Sequence, residues 1–112
     1  MSSLSCHVLD TMRGRPARGV PVSLAQLDAS GAWQALTSAT TNADGRVQAW
    51  QNPVSLGPGT YRVRFETRAY FLPDTPVFYP FVDVVFDVGE AREHFHIPLL
   101  LSPYGYTTYR GS

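Results

Sequence analysis

The chain has 112 residues, nine arginines, no lysine, nine acidic residues and a net charge of zero. That length suits one domain, expected to span residues 1–112; the balanced charge gives nucleic acid and anionic lipid nothing to bind, and a chain without lysine can form no lysine Schiff base. Cys6 is the only cysteine, so no internal disulfide can form, no basic stretch leads into an apolar run, and no segment approaches the roughly twenty apolar residues of a membrane span; the expectation is a soluble, cytoplasmic protein.

Met1 to Ser3 are expected to be disordered. SCHVLD (5–10) reads as a first strand, and TMRGRPARG as a turn-rich connection. VPVSLAQLD (20–28) alternates as a second strand, ASG (29–31) is a hairpin loop, and AWQALTSATT (32–41) is a third strand. NADG (42–45) is a strong turn, because Asn, Asp and Gly tolerate the left-handed backbone it needs. RVQAW (46–50) is a short fourth strand, and QNPVSLGPG is a loop. In TYRVRFET (60–67), Tyr61, Val63 and Phe65 share one face while Arg62, Arg64 and Glu66 share the other. Three prolines limit residues 68–80 to a helical turn at most. VDVVFDV (82–88), HFHIPLLL (94–101) and YGYTTYR (104–110) complete eight strands. Short strands at this spacing imply an all-β antiparallel sandwich or barrel.

The strand over 94–101 departs from the half-buried pattern. Phe95, Ile97, Leu99 and Leu101 form one face, but the other, with His94, His96, Pro98 and Leu100, also turns apolar. A second subunit is the expected cover.

Three histidines carry the candidate chemistry. His94 and His96 share a face, and with His7 they fit either a three-histidine zinc site or acid–base work; two histidines capping a strand end are the plainer alternative. Arg46 follows the NADG turn as a rim cation or an anion holder. Asp10, Asp44 and Asp74 read as turn formers, Asp83 and Asp87 as solvent-facing strand residues. No Gly-rich phosphate loop follows a strand. The terminal SPYGYTTYRGS is unusual: a chain end rich in tyrosine, with Tyr109, Arg110, Gly111 and Ser112 last.

Together, HVLD, TNADGR, GTYRVRFETRAYF and HFHIPLLLSPYGYTTYRGS resemble the 5-hydroxyisourate hydrolases, the enzymes related to transthyretin, over essentially the whole chain. The resemblance implies a transthyretin-like sandwich of two four-stranded sheets with a short helix after the fifth strand. It also implies a homotetramer built as a dimer of dimers, with the sites in the channel between dimers. It implies hydrolytic opening of 5-hydroxyisourate with no metal or other cofactor, catalysed by His7, Arg46 and His96. Tyr109, Arg110, Gly111 and Ser112 would bind substrate alongside His7 and Arg46. Transthyretin lacks the tail and has replaced the matching histidines and arginine, which weighs against the alternative of a carrier module. Pro73, Pro76 and Pro80 depart from the family's helical segment.

Overall fold

The computed structural model describes all of residues 1–112. Two sheets pack face to face around a cluster of twenty buried residues. In the first, β1 (Ser3–Asp10) lies between β8 (His94–Ser102) and two short strands, β2 (Arg15–Pro16) and β5 (Arg46–Val47), while β9 (Gly105–Thr108) pairs with the far side of β8. The second sheet runs β4 (Trp33–Thr40), β3 (Pro21–Leu27), β6 (Gly59–Phe65), β7 (Val82–Val88), all antiparallel. A single short helix, α1 (Thr67–Phe71), follows β6, as the prolines behind it require.

Strand alternation builds the core. Leu4, Cys6 and Val8 point inward from β1, and Phe95, Ile97, Leu99 and Leu101 from β8. They meet Val22, Leu24, Tyr61, Val63, Phe65 and Val82 from the second sheet. Burial of this apolar surface drives the two sheets together, and also pushes the Cys6 thiol up to about 12, so it stays protonated and inert.

Three expectations need correction. The first sheet has five strands rather than four. The fourth expected strand, 46–50, shrinks to Arg46–Val47 because the free side of β1 is shared. β5 takes Cys6 and His7, and β2 takes Leu9 and Asp10. Second, the sandwich is not wholly antiparallel: β1 and β8 run parallel over eight paired residues, from Ser3 opposite His94 to Asp10 opposite Leu101. Parallel strands need a long crossover, and here the entire second sheet lies in the intervening chain. Third, the N-terminus is ordered. Ser2 is buried and exchanges two backbone hydrogen bonds with Leu56, at 2.9 and 2.8 Å.

Asp10 closes the far end of β1. It is a turn former, as expected, because its Oδ1 accepts from the backbone amides of Met12 and Arg13 at 3.0 and 2.9 Å. It is also a buried hub: Oδ2 accepts from the Tyr70 hydroxyl at 2.6 Å and from the Arg13 guanidinium at 3.0 Å. Burial alone would raise its pKa, but the hydrogen bonds from Tyr70 and Arg13 outweigh that and hold it below the ordinary carboxylate value. The folded pKa is depressed, so this stabilisation is present above the unfolded value and is lost as pH falls through the folded one. Asp10→Ala strands four donors and is expected to cost about 3 kcal/mol. Denaturant unfolding near neutral pH checks this, and the gap between variant and wild type should narrow in acid.

Candidate active site

The parallel register of β1 and β8 assembles the site. Opposite residues in a ladder share a face, so Ser3, Ser5, His7 and Leu9 lie beside His94, His96, Pro98 and Leu100 on the outer side of the first sheet. Ser5 sits opposite His96 and His7 opposite Pro98. On the other side of β1, Arg46 sits opposite His7 and joins the same face.

The NADG turn fixes two of these groups at once. Asn42 Oδ1 accepts from the amides of Asp44 and Arg46 at 2.9 and 3.0 Å. Gly45 takes φ +74°, and a Cβ there would overlap the Val8 carbonyl oxygen, so the turn can press against β1 only with glycine. The turn in turn offers the Asp44 carbonyl to His7 Nε2 at 2.9 Å. A carbonyl can only accept, so neutral His7 carries its proton on Nε2 and presents a bare Nδ1.

His96 is held differently. Its Nδ1 is 2.7 Å from Ser5 Oγ, which leaves Nε2 free for water or a ligand. Burial lowers its pKa first; the Arg46 guanidinium lowers it further, as do the neighbouring His7 and His94 imidazoles. His96 is therefore neutral at physiological pH.

The C-terminal tail continues β9 across this face. The pairs Leu99–Thr108 and His96–Gly111 share one register, which sets Tyr109 opposite Pro98 and Arg110 opposite Ile97. Tyr109, 59% exposed, is thus on the histidine side. Gly111 donates its amide to the His96 carbonyl at 2.9 Å. A Cβ on Gly111 would come within 2.6 Å of His96 Cδ2 and 3.2 Å of Pro98 Cγ, so the tail lies flat on the imidazole only because residue 111 has no side chain. Ser112 follows and is exposed.

Arg110 points the other way. Its guanidinium donates to Glu93 Oε1 at 2.8 Å and lies over the Phe95 ring at 4.7 Å from the centroid. It lines a cleft of about 260 Å³ with Phe86, Phe95 and Tyr109, which His96 touches but His7 and Arg46 do not. The histidine face itself is open on one chain.

The three-histidine zinc alternative does not fit this geometry. No three His, Cys, Asp or Glu side chains converge as a ligand set, and His94 and His96 both turn nitrogens toward Ser5. Sequence reading passed over Ser5, although its spacing of two from His7 puts it on the same face; only the β1–β8 register shows that it meets both histidines. It also passed over the Asp44 carbonyl, a main-chain group that no side-chain pattern marks.

Residues 4–111 match the HIUase/Transthyretin family. The chain belongs to this family. Among members of the HIUase/Transthyretin family, the mouse (Mus musculus) 5-hydroxyisourate hydrolase is 45% identical over 113 residues, covering 99% of this chain and 96% of its own. The structure of Klebsiella pneumoniae 5-hydroxyisourate hydrolase superposes with a TM-score of 0.86 at 39% identity, covering 100% of both chains. Sea bream transthyretin in complex with thyroxine superposes equally well, TM-score 0.86, at 31% identity and coverage of 96% of this chain and 93% of its own. Family membership thus establishes the transthyretin-like fold, and the hydrolase relatives, at 45% and 39% identity against 31% for transthyretin, favour hydrolase over carrier.

Gly111→Ala tests how the tail is seated. The added methyl must displace either the tail or the His96 ring, so the residue 111 amide should lose its protection from hydrogen exchange. Stability should change by no more than about 0.5 kcal/mol, since the position lies outside the core.

Proposed function

We infer that this chain hydrolyses 5-hydroxyisourate to 2-oxo-4-hydroxy-4-carboxy-5-ureidoimidazoline, a step of urate degradation, with water attacking a carbonyl of the six-membered ring and the ring C–N bond breaking. The observation that carries this reading is the meeting of His7, Arg46 and His96 on one face, with one imidazole kept neutral and the other held in a single tautomer. The names of the mouse and Klebsiella relatives support it.

The reaction needs three things: a group to take a proton from water, a cation for the oxyanion, and a proton for the leaving nitrogen. His96 Nε2 takes the proton from water, since burial keeps it unprotonated. The imidazolium so formed lies near Arg46 and His7, which makes it a ready donor, and it returns that proton to the departing ring nitrogen. His7 Nδ1 accepts a hydrogen bond from the attacking water and aims it. Arg46, with a planar fork of fixed charge, holds the carbonyl oxygen as it becomes an oxyanion. Tyr109 walls the site, Gly111 lets the tail lie against His96, and Ser112 reaches substrate as a hydrogen-bond partner. Arg110, bound to Glu93 within one chain, contributes to substrate binding by locking the tail in place. No step calls for a metal, redox group or covalent nucleophile.

The chain works as one domain within a homotetramer, a dimer of dimers in the cytoplasm. Leu9, Leu100 and Tyr109 give the histidine face apolar surface that remains partly or wholly exposed on a single chain, and a facing copy would turn the open face into a closed channel. Thyroxine in the sea bream transthyretin structure raises a carrier as the second reading; the histidine–arginine cluster favours hydrolysis.

Ultraviolet decay of freshly made 5-hydroxyisourate, with and without protein, tests the activity. His7→Ala and His96→Ala are each expected to slow turnover roughly 10²-fold with folding intact. Arg46→Lys should lower kcat/KM by a similar factor, roughly 10²-fold, because lysine keeps the charge and loses the fork; a near-normal rate would make Arg46 a rim charge. Because the His96 pKa is lowered, activity should persist below the ordinary imidazole midpoint of about 6.5 and fall only when Nε2 protonates. Light scattering should give a tetramer, and a fully active monomer would refute the shared channel.

A further inference from the structure

His96 is the inner end of a hydrogen-bonded chain that crosses from β8 to β1 and back. Ser5 Oγ stands 2.7 Å from His96 Nδ1 and 2.9 Å from His94 Nε2, and Ser3 Oγ stands 2.6 Å from His94 Nδ1. Ser3 and His94 are exposed, while Ser5 and His96 are half-buried. The order from site to solvent is thus His96, Ser5, His94, Ser3.

We propose that Ser5 and His94 are positioning residues that set the tautomer of His96 and carry its proton to solvent. The inference rests on the hydrolase reading for the proton's origin, but the hydrogen-bond chain is independent of it. A hydroxyl has one proton, so Ser5 can donate to only one of its two histidines. With both imidazoles neutral and Ser5 donating to one of them, two arrangements satisfy every bond. In one, His96 Nδ1–H donates to Ser5, Ser5 donates to His94 Nε2, and His94 Nδ1–H donates to Ser3; His96 Nε2 is then bare and basic. In the other every proton is reversed, and His96 carries its proton on Nε2.

The reaction gives such a path a use. When His96 Nε2 takes a proton from the attacking water, Nδ1–H passes to Ser5, the Ser5 proton passes to His94 Nε2, and His94 Nδ1–H leaves through Ser3 to water. When Nε2–H is given to the departing ring nitrogen, the chain runs in reverse and a proton from solvent returns to Nδ1, which restores the base. One proton leaves and one returns in each turnover, and the carboxylic acid formed by hydrolysis ionises directly to water. The charged and titratable groups that face His96 are Arg46 from β5, His7 from β1, His94 on its own strand and Tyr109 from the tail; none but His94 is bonded to Ser5.

Two measurements on the full chain test the proposal. Nitrogen-15 NMR of the imidazoles, without substrate, should show His96 with its proton on Nδ1, and Ser5→Ala should move it toward the Nε2–H form. An unchanged tautomer in Ser5→Ala would overturn the proposal. In kinetics, Ser5→Ala and His94→Ala should each lower kcat about tenfold with little change in KM, the lower end of the loss seen when a metal-bound histidine loses its outer hydrogen-bond partner. Ser5→Thr should recover most of the loss, and free imidazole in the buffer should raise the rate of His94→Ala but not of wild type. Full rates in Ser5→Ala, or a His94→Ala loss indifferent to imidazole, would sink the relay while an inactive His96→Ala kept the hydrolase reading alive. Absence of hydrolysis by wild type would sink that reading alone, with the NMR result still deciding the tautomer control.

Discussion

The parallel pairing of β1 with β8 is the constraint on which everything else depends. It joins the two ends of the chain across the whole length of the second sheet, and it fixes one register over eight pairs. A slip of one residue would turn Leu4, Cys6 and Val8 outward and drive Ser5 and His7 into the core. Core burial and site assembly are therefore two faces of one choice. The apolar alternation of β1 and β8 forbids the slip, and the histidines follow from it.

The same alternation sorts the tail. Because Gly111 keeps the register that Thr108 began, Tyr109 and Arg110 must leave on opposite sides. One walls the histidine face, and the other seals the sheet edge against Phe95 and Glu93. A terminus that would otherwise fray is held by a backbone bond on one side and a cation on the other.

Much of this was legible in the sequence. Strand positions followed from period-two patterning, the NADG turn from its residue types, and the short helix from Pro73, Pro76 and Pro80. The motifs around His7, Arg46 and His96 pointed to the family. What patterning could not supply was long-range pairing. The parallel β1–β8 ladder, the shared edge that shortens β5, and the seating of Ser2 against Leu56 all depend on partners distant in the chain. Ser5 was hidden for the same reason: its importance lies in what stands across from it. The tautomer of His7 was hidden for another, since its partner is a main-chain oxygen.

That main-chain oxygen bears on what mutation can alter. The proton of His7 is directed by the carbonyl of Asp44, which every residue type possesses. Position 44 can therefore drift in sequence without disturbing the electronic state of the imidazole. The burden of heredity shifts to neighbours that shape the turn: Gly45, which alone fits beside Val8, and Asn42, whose side chain gathers the amides of residues 44 and 46. A property of the site is thus inherited as the shape of a loop, through residues that take no part in the chemistry.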